Sequence, residues 1–275
     1  MKQKKVILIT GASSGMGKEA ALTLIKEGHI VYGAARRIVQ MKALEDAGGH
    51  ALKLDVTDEN QIIDGVRKVI EEQGRIDVLW NNAGYGLYGA VEDIPIEQAR
   101  RQFEVNLFGL ARMTQEVLPH MRMQQSGTII NTSSMGGKMY TPLGAWYHGT
   151  KHALEGWSDC LRLELKQFNI HVVVLEPGII ATEFGDVVYG PLLKNSGEGA
   201  YRQMARQVAQ GTKDFYDKPN AASPSSVISR TVSKIVNSKK PKTRYVKGKM
   251  AKPLMWIRKY MGDRIFDMTV MSQLK

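Results

Sequence analysis

The chain has 275 residues, 43% hydrophobic and 24% charged, a composition typical of a soluble globular protein and long enough for one large domain. It contains no run of about 18 apolar residues, which excludes a membrane-spanning helix, and the apolar run at residues 6–9 is too short for a signal peptide. Its single cysteine, Cys160, excludes an intrachain disulfide and fits a reducing compartment, so we expect a cytoplasmic protein.

The positive charge is concentrated toward the carboxyl end. Residues 1–229 contain 25 Lys/Arg and 25 Asp/Glu, whereas residues 230–275 contain 13 Lys/Arg and two acids. Apolar side chains such as Leu254, Trp256 and Tyr260 lie among these cations, in a basic extension at residues 243–275. The extension could rest weakly on anionic lipid as a peripheral contact. We prefer the interpretation that its apolar face covers a pocket while its charges are solvated, and we expect no nucleic-acid partner.

The first elements are a strand, a glycine-rich turn and a helix. A buried strand is predicted at residues 6–10, and helical spacing runs from Lys18 to Glu27, ending at Gly28. Glycines between a strand and a helix allow the backbone to approach a pyrophosphate, which the helix N-terminus then faces. The candidates for this phosphate cradle are Gly11, Ser13, Ser14, Gly15, Met16 and Gly17.

The second strand, predicted at residues 30–35, is followed by two arginines instead of an acid. An Asp or Glu at this point would bind the ribose 2′-hydroxyl of NAD, whereas Arg36 and Arg37 suit the 2′-phosphate of NADP. Two solvent-facing arginines are the alternative. We therefore expect NADP as the cofactor, with NAD less favoured.

Strands and helices alternate along the rest of the chain. Residues 53–56 are predicted to end a third strand, and further strands are predicted at 78–80, 128–132 and 171–176. Helices at 58–73, 98–123 and 145–167 lie between them. The alternation predicts an α/β fold with a single doubly wound parallel sheet, a Rossmann fold, in one domain over residues 1–275. The polar turns follow strands, so they should meet at one edge of the sheet.

Tyr147 and Lys151 lie four residues apart on a predicted helix, which places them on one face. A cation beside a phenol favours the phenolate, by at most about three pKa units at an effective dielectric of 20. Such a tyrosine can exchange a proton with a substrate oxygen. The alternative is an ordinary solvent-facing pair. On neighbouring helices we expect Asn106 as a buried amide that bends its helix and holds a water, rather than a surface residue, and Cys160 as a small packed side chain.

Taken together, these motifs resemble the short-chain dehydrogenase/reductase family. The loop at residues 82–87, the arginine-rich turn after the second strand and the tail beyond the core look most like its steroid and retinol dehydrogenase branch. The matching residues span 6–182 in the order and spacing of the family. They are Thr10-Gly11-x3-Gly15-x-Gly17, Asp55-Val56, Asn81-Asn82-Ala83-Gly84, Asn106, Ser134, Tyr147-x3-Lys151 and Pro177-Gly178-x3-Thr182.

The resemblance implies a metal-free mechanism with four catalytic residues. Tyr147 would be the general acid or base, and Lys151 would lower its pKa and hold the nicotinamide ribose. Ser134, 13 residues before the tyrosine, would bind the substrate oxygen, and Asn106 would position a water. Further cofactor contacts would come from Asp55, Val56, Asn82, Ala83, Gly84, Pro177, Gly178, Ile180 and Thr182. Asp55 could instead cap the helix that follows it. A homodimer or homotetramer through helices 98–123 and 145–167 is also implied.

Residues 183–222 correspond to the family's substrate lid, and their first half, 183–199, lacks clear periodicity. A further helix is predicted from Ser223 and a strand at residues 244–246. The pocket candidates are apolar and aromatic: Tyr85, Leu87, Met135, Met139, Trp146, Phe184, Val188 and Tyr189. We expect a hydrophobic ketone or aldehyde and its alcohol as substrates. A 3-oxoacyl thioester reductase, or a nucleotide-sensing or surface-binding protein with incidental turnover, are the alternatives.

Overall fold

The computed structural model describes residues 4–218 and 221–274. Its strands are β1 Val6–Thr10, β2 Ile30–Ala35, β3 His50–Lys53, β4 Val78–Asn81, β5 Gly127–Thr132, β6 Ile170–Pro177, β7 Ile180–Ala181, β8 Ser223–Pro224 and β9 Arg244–Lys247. Seven of them form one parallel sheet in the order β3-β2-β1-β4-β5-β6-β9. This order reverses between β1 and β4, so the predicted doubly wound sheet is confirmed.

Helices cover both faces of this sheet. They are α1 Gly15–Lys26, α2 Lys42–Asp46, α3 Glu59–Gln73, α4 Ile96–Phe103, α5 Gly109–Met123, α6 Ala145–Leu165, α7 Phe184–Ser196, α8 Arg202–Asp217, α9 Ser226–Val236, α10 Ala251–Tyr260 and α11 Gly262–Met271. Apolar side chains of α1, α2 and α9 fill the core on one face, and those of α3, α5 and α6 fill it on the other. Within the described residues, none of these helices is both long and apolar enough to cross a bilayer.

Local sequence signals explain where the elements begin and end. All five residues of β1 are buried, as expected for an apolar strand covered by helices on both sides. Helix α3 begins after Asp58, whose carboxylate accepts a hydrogen bond from the Gln61 N–H, and it ends at Gly74 with φ +71°. Asp58 is a standard N-cap and Gly74 a standard left-handed C-cap, so the two residues set the bounds of α3.

The structure adds one helix that the sequence did not predict and corrects three details of the prediction. Residues 184–196 form helix α7, whose apolar side chains are divided between packing on α8 and lining a cavity, so no single periodic face was visible. Strand β3 ends at Lys53, three residues before the predicted end at Val56. Residues 223–224 pair with β7 instead of starting a helix, because α9 begins two residues later. Cys160 is exposed, since it lies about 200° around α6 from the buried Ser158.

Candidate functional site

The turns after β1 and β4 are joined by hydrogen bonds at the carboxyl edge of the sheet. The Thr10 hydroxyl accepts hydrogen bonds from the backbone N–H groups of Asn82 and Ala83, both at 3.0 Å. The Asn82 amide donates back to the carbonyl oxygens of Thr10 and Gly11, at 3.1 and 3.2 Å. The two predicted cofactor turns therefore form one rigid unit.

In the glycine-rich turn at residues 11–17, the three glycine positions leave little or no room for a side chain. Gly11 and Gly15 have φ values of +69° and +51°, a region that glycine adopts without strain. A Cβ atom on Gly17 would lie 2.3 Å from the Gly11 carbonyl oxygen. Gly15 faces Thr182, whose methyl carbon is 3.3 Å from the position of an added Cβ. The turn at Thr182 and the glycine-rich turn thus lie against each other, which is the arrangement expected of two turns predicted to bind one cofactor.

Tyr147, Lys151 and Ser134 come together at the same edge. Tyr147 and Lys151 lie in the first two turns of α6 and are 7% and 5% exposed. The Lys151 Nζ atom donates to the Thr132 carbonyl oxygen at 2.8 Å and lies 6.0 Å from the centre of the Tyr147 ring. Ser134 follows β5, lines the same cavity as Tyr147, and acts to lower the pKa of the Tyr147 phenol. The three side chains therefore form a connected group at the end of β5, which excludes the solvent-facing alternative.

The expected lowering of the Tyr147 pKa is not what the structure gives. Burial raises the pKa of Tyr147, and Ser134 only partly opposes this rise. Burial also lowers the pKa of Lys151 to about 8, although the nearby Glu155 carboxylate acts in the other direction. The spacing of Tyr147 and Lys151 reports the charge of the lysine but not the desolvation of the two groups, and desolvation has the larger effect on both pKa values here.

Asn106 is a buried amide, as predicted, and is 1% exposed. It lies in a π-helical turn, Glu104–Phe108, between α4 and α5. Its Oδ1 accepts from the Tyr85 N–H at 3.1 Å, and its Nδ2 donates to the Tyr85 carbonyl at 2.9 Å and to the Thr150 hydroxyl at 3.2 Å. Asn106 thus fixes the turn after β4 against the helix that carries Tyr147. Single π-helical turns of this kind are frequent at functional sites.

Further residues predicted to bind the cofactor follow β2 and β3. Arg36 and Arg37 follow β2 directly, and both are exposed. The Asp55 carboxylate accepts hydrogen bonds from the Thr57 N–H and hydroxyl, at 3.0 and 2.8 Å, and pairs with Arg101 at 3.3 Å. Burial acts to raise the pKa of Asp55, but the Thr57 hydrogen bonds and the nearby Arg101 and Arg36 lower it overall. Asp55 is therefore held as a carboxylate within the field of Arg36. Val56, beside it, is buried.

The Pro177-Gly178 turn is held by the start of the basic extension. The Gly178 N–H donates to the Lys247 carbonyl at 2.7 Å, and the Ile179 N–H donates to the Lys249 carbonyl at 3.0 Å. Ile180 is buried and pairs with Ser223, while Thr182 accepts from the Phe184 N–H at 3.3 Å. The turn is therefore braced on the side of β9, and it leads directly into α7.

A cavity of about 530 Å³ opens beside Tyr147 and Ser134. Five of the eight predicted pocket residues line it: Tyr85, Met135, Met139, Phe184 and Val188. The other three do not. Leu87 and Trp146 pack with Ile94 and Ala99 in a separate cluster, and Tyr189 is 37% exposed on the outer side of α7. The lining is mainly apolar, which suits a hydrophobic ligand.

The cavity also contains residues that the sequence did not single out. Tyr88 lies 5.7 Å from the Tyr147 ring, and Tyr216 and His148 line the same space. Burial raises the pKa of Tyr88 and of Tyr216, so both stay neutral phenols. Adjacency to Tyr147 could have indicated His148, but Tyr88 and Tyr216 carry no local signal. From the carboxyl extension, Met250, Leu254, Val270 and Leu274 also line the cavity, so the preferred pocket-covering interpretation is confirmed.

Two buried polar atoms at this site have no hydrogen-bond partner among the described residues. They are the Oδ1 of Asn82 and the Oγ of Ser133, and both residues line the cavity. Because buried polar atoms are nearly always hydrogen-bonded, these two suit a polar ligand such as a nucleotide. In the same parts of the chain, no group of three or more His, Cys, Asp or Glu is placed to hold a metal ion.

Comparison with known proteins agrees with this geometry. Residues 5–189 match the family model of the short chain dehydrogenases. The chain is 45% identical over 185 residues to a 3-ketodihydrosphingosine reductase of Bacteroides thetaiotaomicron, covering 67% of each chain. A short-chain dehydrogenase of Streptomyces avermitilis superposes with a TM-score of 0.78 at 32% identity, covering 92% of each chain. A serine dehydrogenase solved with NADP⁺ gives a TM-score of 0.77 at 26% identity, covering 90% of this chain and 96% of that one.

The family model spans well over half of the chain, and it includes the glycine-rich turn, Ser134, Tyr147, Lys151 and the Pro177-Gly178 turn. The chain therefore belongs to the short-chain dehydrogenase/reductase family of oxidoreductases.

Proposed function

We propose that the protein is an NADP(H)-dependent oxidoreductase that interconverts a hydrophobic ketone or aldehyde and its alcohol, with Tyr147 as the general acid or base. One observation carries the proposal. The phenol of Tyr147 and the hydroxyl of Ser134 lie on the wall of the same mainly apolar cavity, close enough that Ser134 acts to lower the pKa of the phenol, and Lys151 lies one helical turn away. A carbonyl oxygen that reaches this pair meets two hydroxyl donors.

The cofactor would be held along the carboxyl edge of the sheet. The glycine-rich turn at residues 11–17 would take the pyrophosphate, and Arg36 and Arg37 would take the 2′-phosphate. Asn82 and Thr182 would contribute further polar contacts. When bound, the nicotinamide would supply or accept the hydride. The serine dehydrogenase neighbour, solved with NADP⁺, adds support for this choice of nucleotide.

The side chains of Tyr147, Ser134 and Lys151 would hold and transfer the proton that the reduction requires. Burial keeps Tyr147 protonated, which is the form required to donate a proton to the oxygen of a ketone during reduction. Ser134 would donate a hydrogen bond to the same oxygen. The Lys151 ammonium, held by the Thr132 carbonyl, would then stabilise the phenolate that forms. Asn106 would hold the turn at Tyr85 in its position against α6.

For the substrate, we propose a long-chain lipid ketone. The relative from Bacteroides thetaiotaomicron is named for the reduction of 3-ketodihydrosphingosine, and the cavity here has a volume of about 530 Å³ and a mainly apolar, aromatic lining. A 3-oxoacyl thioester reductase remains the second candidate. A protein that only senses the nucleotide would need no Tyr147–Ser134 pair.

The experiment follows absorbance of the reduced cofactor with 3-ketodihydrosphingosine, a 3-oxoacyl thioester and short ketones, with NADPH and NADH in parallel. We expect NADPH oxidation with the long-chain ketone, and its loss by at least about a thousandfold in Tyr147→Phe while NADPH still binds. Tyr189→Phe, on the outer side of α7, is the matched control. Normal turnover by Tyr147→Phe would refute the mechanism, and equal use of NADH would refute the role of the two arginines.

We also propose a homodimer or homotetramer with contacts along α5 and α6. Met123 on α5 and Leu163 on α6 are 75% and 69% exposed, although they are large and apolar. Burial against a second copy would remove both from water. Light scattering of Leu163→Glu against the wild-type protein tests this proposal.

A further inference from the structure

Helices α10 and α11 each have an inner face, packed toward the cavity, and an outer face exposed to solvent. Their inner faces carry Leu254, Phe266 and Val270, all buried, and Leu254 and Val270 line the cavity. In a helix, Trp256 lies about 200° around the axis from Leu254, and Met268 lies about 200° from Phe266. Covering the pocket therefore uses only one side of each helix, and the other side is left for a separate explanation.

That other side is unusually apolar. Fifteen large apolar side chains are exposed in the part of the chain that the structure describes, and six of them fall within residues 256–271. Trp256 and Tyr260 are 56% and 62% exposed, and their rings lie 5.7 Å apart. The other four are Met261, Ile265, Met268 and Met271. Scattered single residues need no explanation, but such a concentration on two consecutive helices indicates a binding surface.

The charge around these side chains is positive. Lys252 and Lys259 are exposed on α10, and Arg264 is exposed on α11. The two acids of this region are already engaged, because Asp263 pairs with Arg258 and Asp267 accepts a hydrogen bond from Tyr140 at 2.8 Å. Aromatic and methionine side chains among unopposed lysines suit an anionic lipid surface, where rings enter the headgroup region and cations meet phosphates.

We propose that the outer face of α10 and α11 docks the protein on an anionic lipid surface. The face would lie in the interface and would not enter the bilayer as a spanning segment. Because the inner face of the same helices lines the cavity, docking places the cavity wall next to the lipid. This proposal needs no turnover, so it does not depend on the proposed function.

The experiment measures sedimentation of the full chain with vesicles of phosphatidylcholine, with and without phosphatidylglycerol, at low and at high salt. We expect binding to the anionic vesicles at low salt, at least about tenfold weaker binding to neutral ones, and a loss in high salt. Trp256→Ser/Tyr260→Ser and Lys252→Glu/Lys259→Glu should each weaken binding at least about tenfold.

Matched control variants test whether vesicle binding depends on this face or on any exposed apolar or basic side chain of the protein. Val91→Ser/Ile96→Ser removes two exposed apolar side chains elsewhere, and Lys26→Glu/Lys166→Glu reverses two exposed charges elsewhere. Both controls should bind as the wild type does. Absence of wild-type binding to anionic vesicles, or equal losses in the controls, would overturn the proposal. So would a change of oligomeric state in the α10 variants without a change in vesicle binding, which would assign the face to a second copy.

Failure of docking and failure of the proposed function are distinguishable. The side chains of Trp256 and Tyr260 do not line the cavity, so reduction of a short, water-soluble ketone should be the same in their variant and in the wild type. Vesicle binding without any turnover would refute only the proposed function. Turnover without vesicle binding would refute only the docking surface.

Discussion

His148 is held in one tautomer by its neighbours. Its Nε2 atom accepts a hydrogen bond from the Thr141 N–H at 3.1 Å, so this nitrogen carries no proton. Its Nδ1 atom faces the Gly136 carbonyl at 2.9 Å and must therefore be the donor. Burial lowers the pKa of His148 to about 4, although the Gly136 hydrogen bond acts in the other direction. The ring thus ties the segment after Ser134 to the helix that carries Tyr147.

We predict that His148→Ala lowers kcat by about 10–100-fold, because the Ser134 segment loses two anchors and the donor pair moves apart. NADPH affinity should change little, since the glycine-rich turn is not touched. His152→Ala, one turn further along α6 and exposed, is the control. Steady-state kinetics with a cofactor titration measure both effects. Unchanged kcat in His148→Ala would show that the segment is positioned without the ring.

Among the elements, the link between β9 and the Pro177-Gly178 turn sets one edge of the site. An added Cβ on Gly178 would lie 2.1 Å from the Lys249 carbonyl oxygen, a backbone atom that cannot rotate away. The cofactor turn and the start of the extension are therefore packed backbone against backbone. Position 178 therefore requires a glycine because of this close backbone contact and not because of an unusual φ angle.

We predict that Gly178→Ala destabilises the protein by about 1–3 kcal/mol, because the two backbones must separate. It should also weaken NADPH binding. Gly156→Ala is the matched control: this glycine lies within α6 with no heavy atom within 4 Å of an added Cβ. There, alanine should stabilise the helix by about 0.5–1 kcal/mol. Denaturant unfolding of both variants measures the difference, and equal stabilities would contradict the packing argument.

The sequence predicted the elements whose pattern is local. The strand at Val6–Thr10, the long helix after Tyr147 and the turn at Pro177 follow from periodicity, glycine and proline. It did not predict that α7 is a helix, because the side chains around Phe184 and Val188 serve both a cavity and a neighbouring helix. It also gave the wrong direction for the Tyr147 pKa, because burial depends on tertiary packing that no spacing reports.

At the scale of the whole molecule, a buried charge cluster joins three elements behind the site. Glu155 of α6 and Glu176 of β6 have side chains that are 4% and 1% exposed. Arg244 of β9 contacts Glu155 at 3.0 Å and Glu176 at 3.6 Å, and Lys138 contacts Glu155 at 3.0 Å. Asp159 also pairs with Arg244, at 2.7 Å, so three carboxylates face these two cations, and burial is costly for the charges of Glu155 and Glu176. Burial and the neighbouring Glu155 raise the pKa of Glu176 to about 7.

The raised pKa of Glu176 makes the free energy of unfolding fall as the pH rises. For a carboxyl whose pKa is raised from 4.5 to about 7 on folding, the folded state binds the proton more tightly. Its stabilising contribution is complete below pH 4.5 and is lost as the pH rises through 7. His148 has the opposite effect, because its pKa falls from 6.5 to about 4, so its contribution is lost as the pH falls through that range. The two slopes oppose each other in the wild-type protein.

A comparison of variants separates the two slopes. We predict that Glu176→Gln, relative to the wild type, gains about 2–3 kcal/mol of unfolding free energy between pH 5 and pH 8, because glutamine cannot lose the proton that Glu176 must release. His148 is present in both proteins, so its slope cancels in the difference. Denaturant unfolding at the two pH values measures it, with Glu164→Gln on the exposed side of α6 as the control. A difference that does not change with pH would mean that Arg244 keeps Glu176 ionised throughout, and the cluster would then be two ion pairs rather than a shared proton.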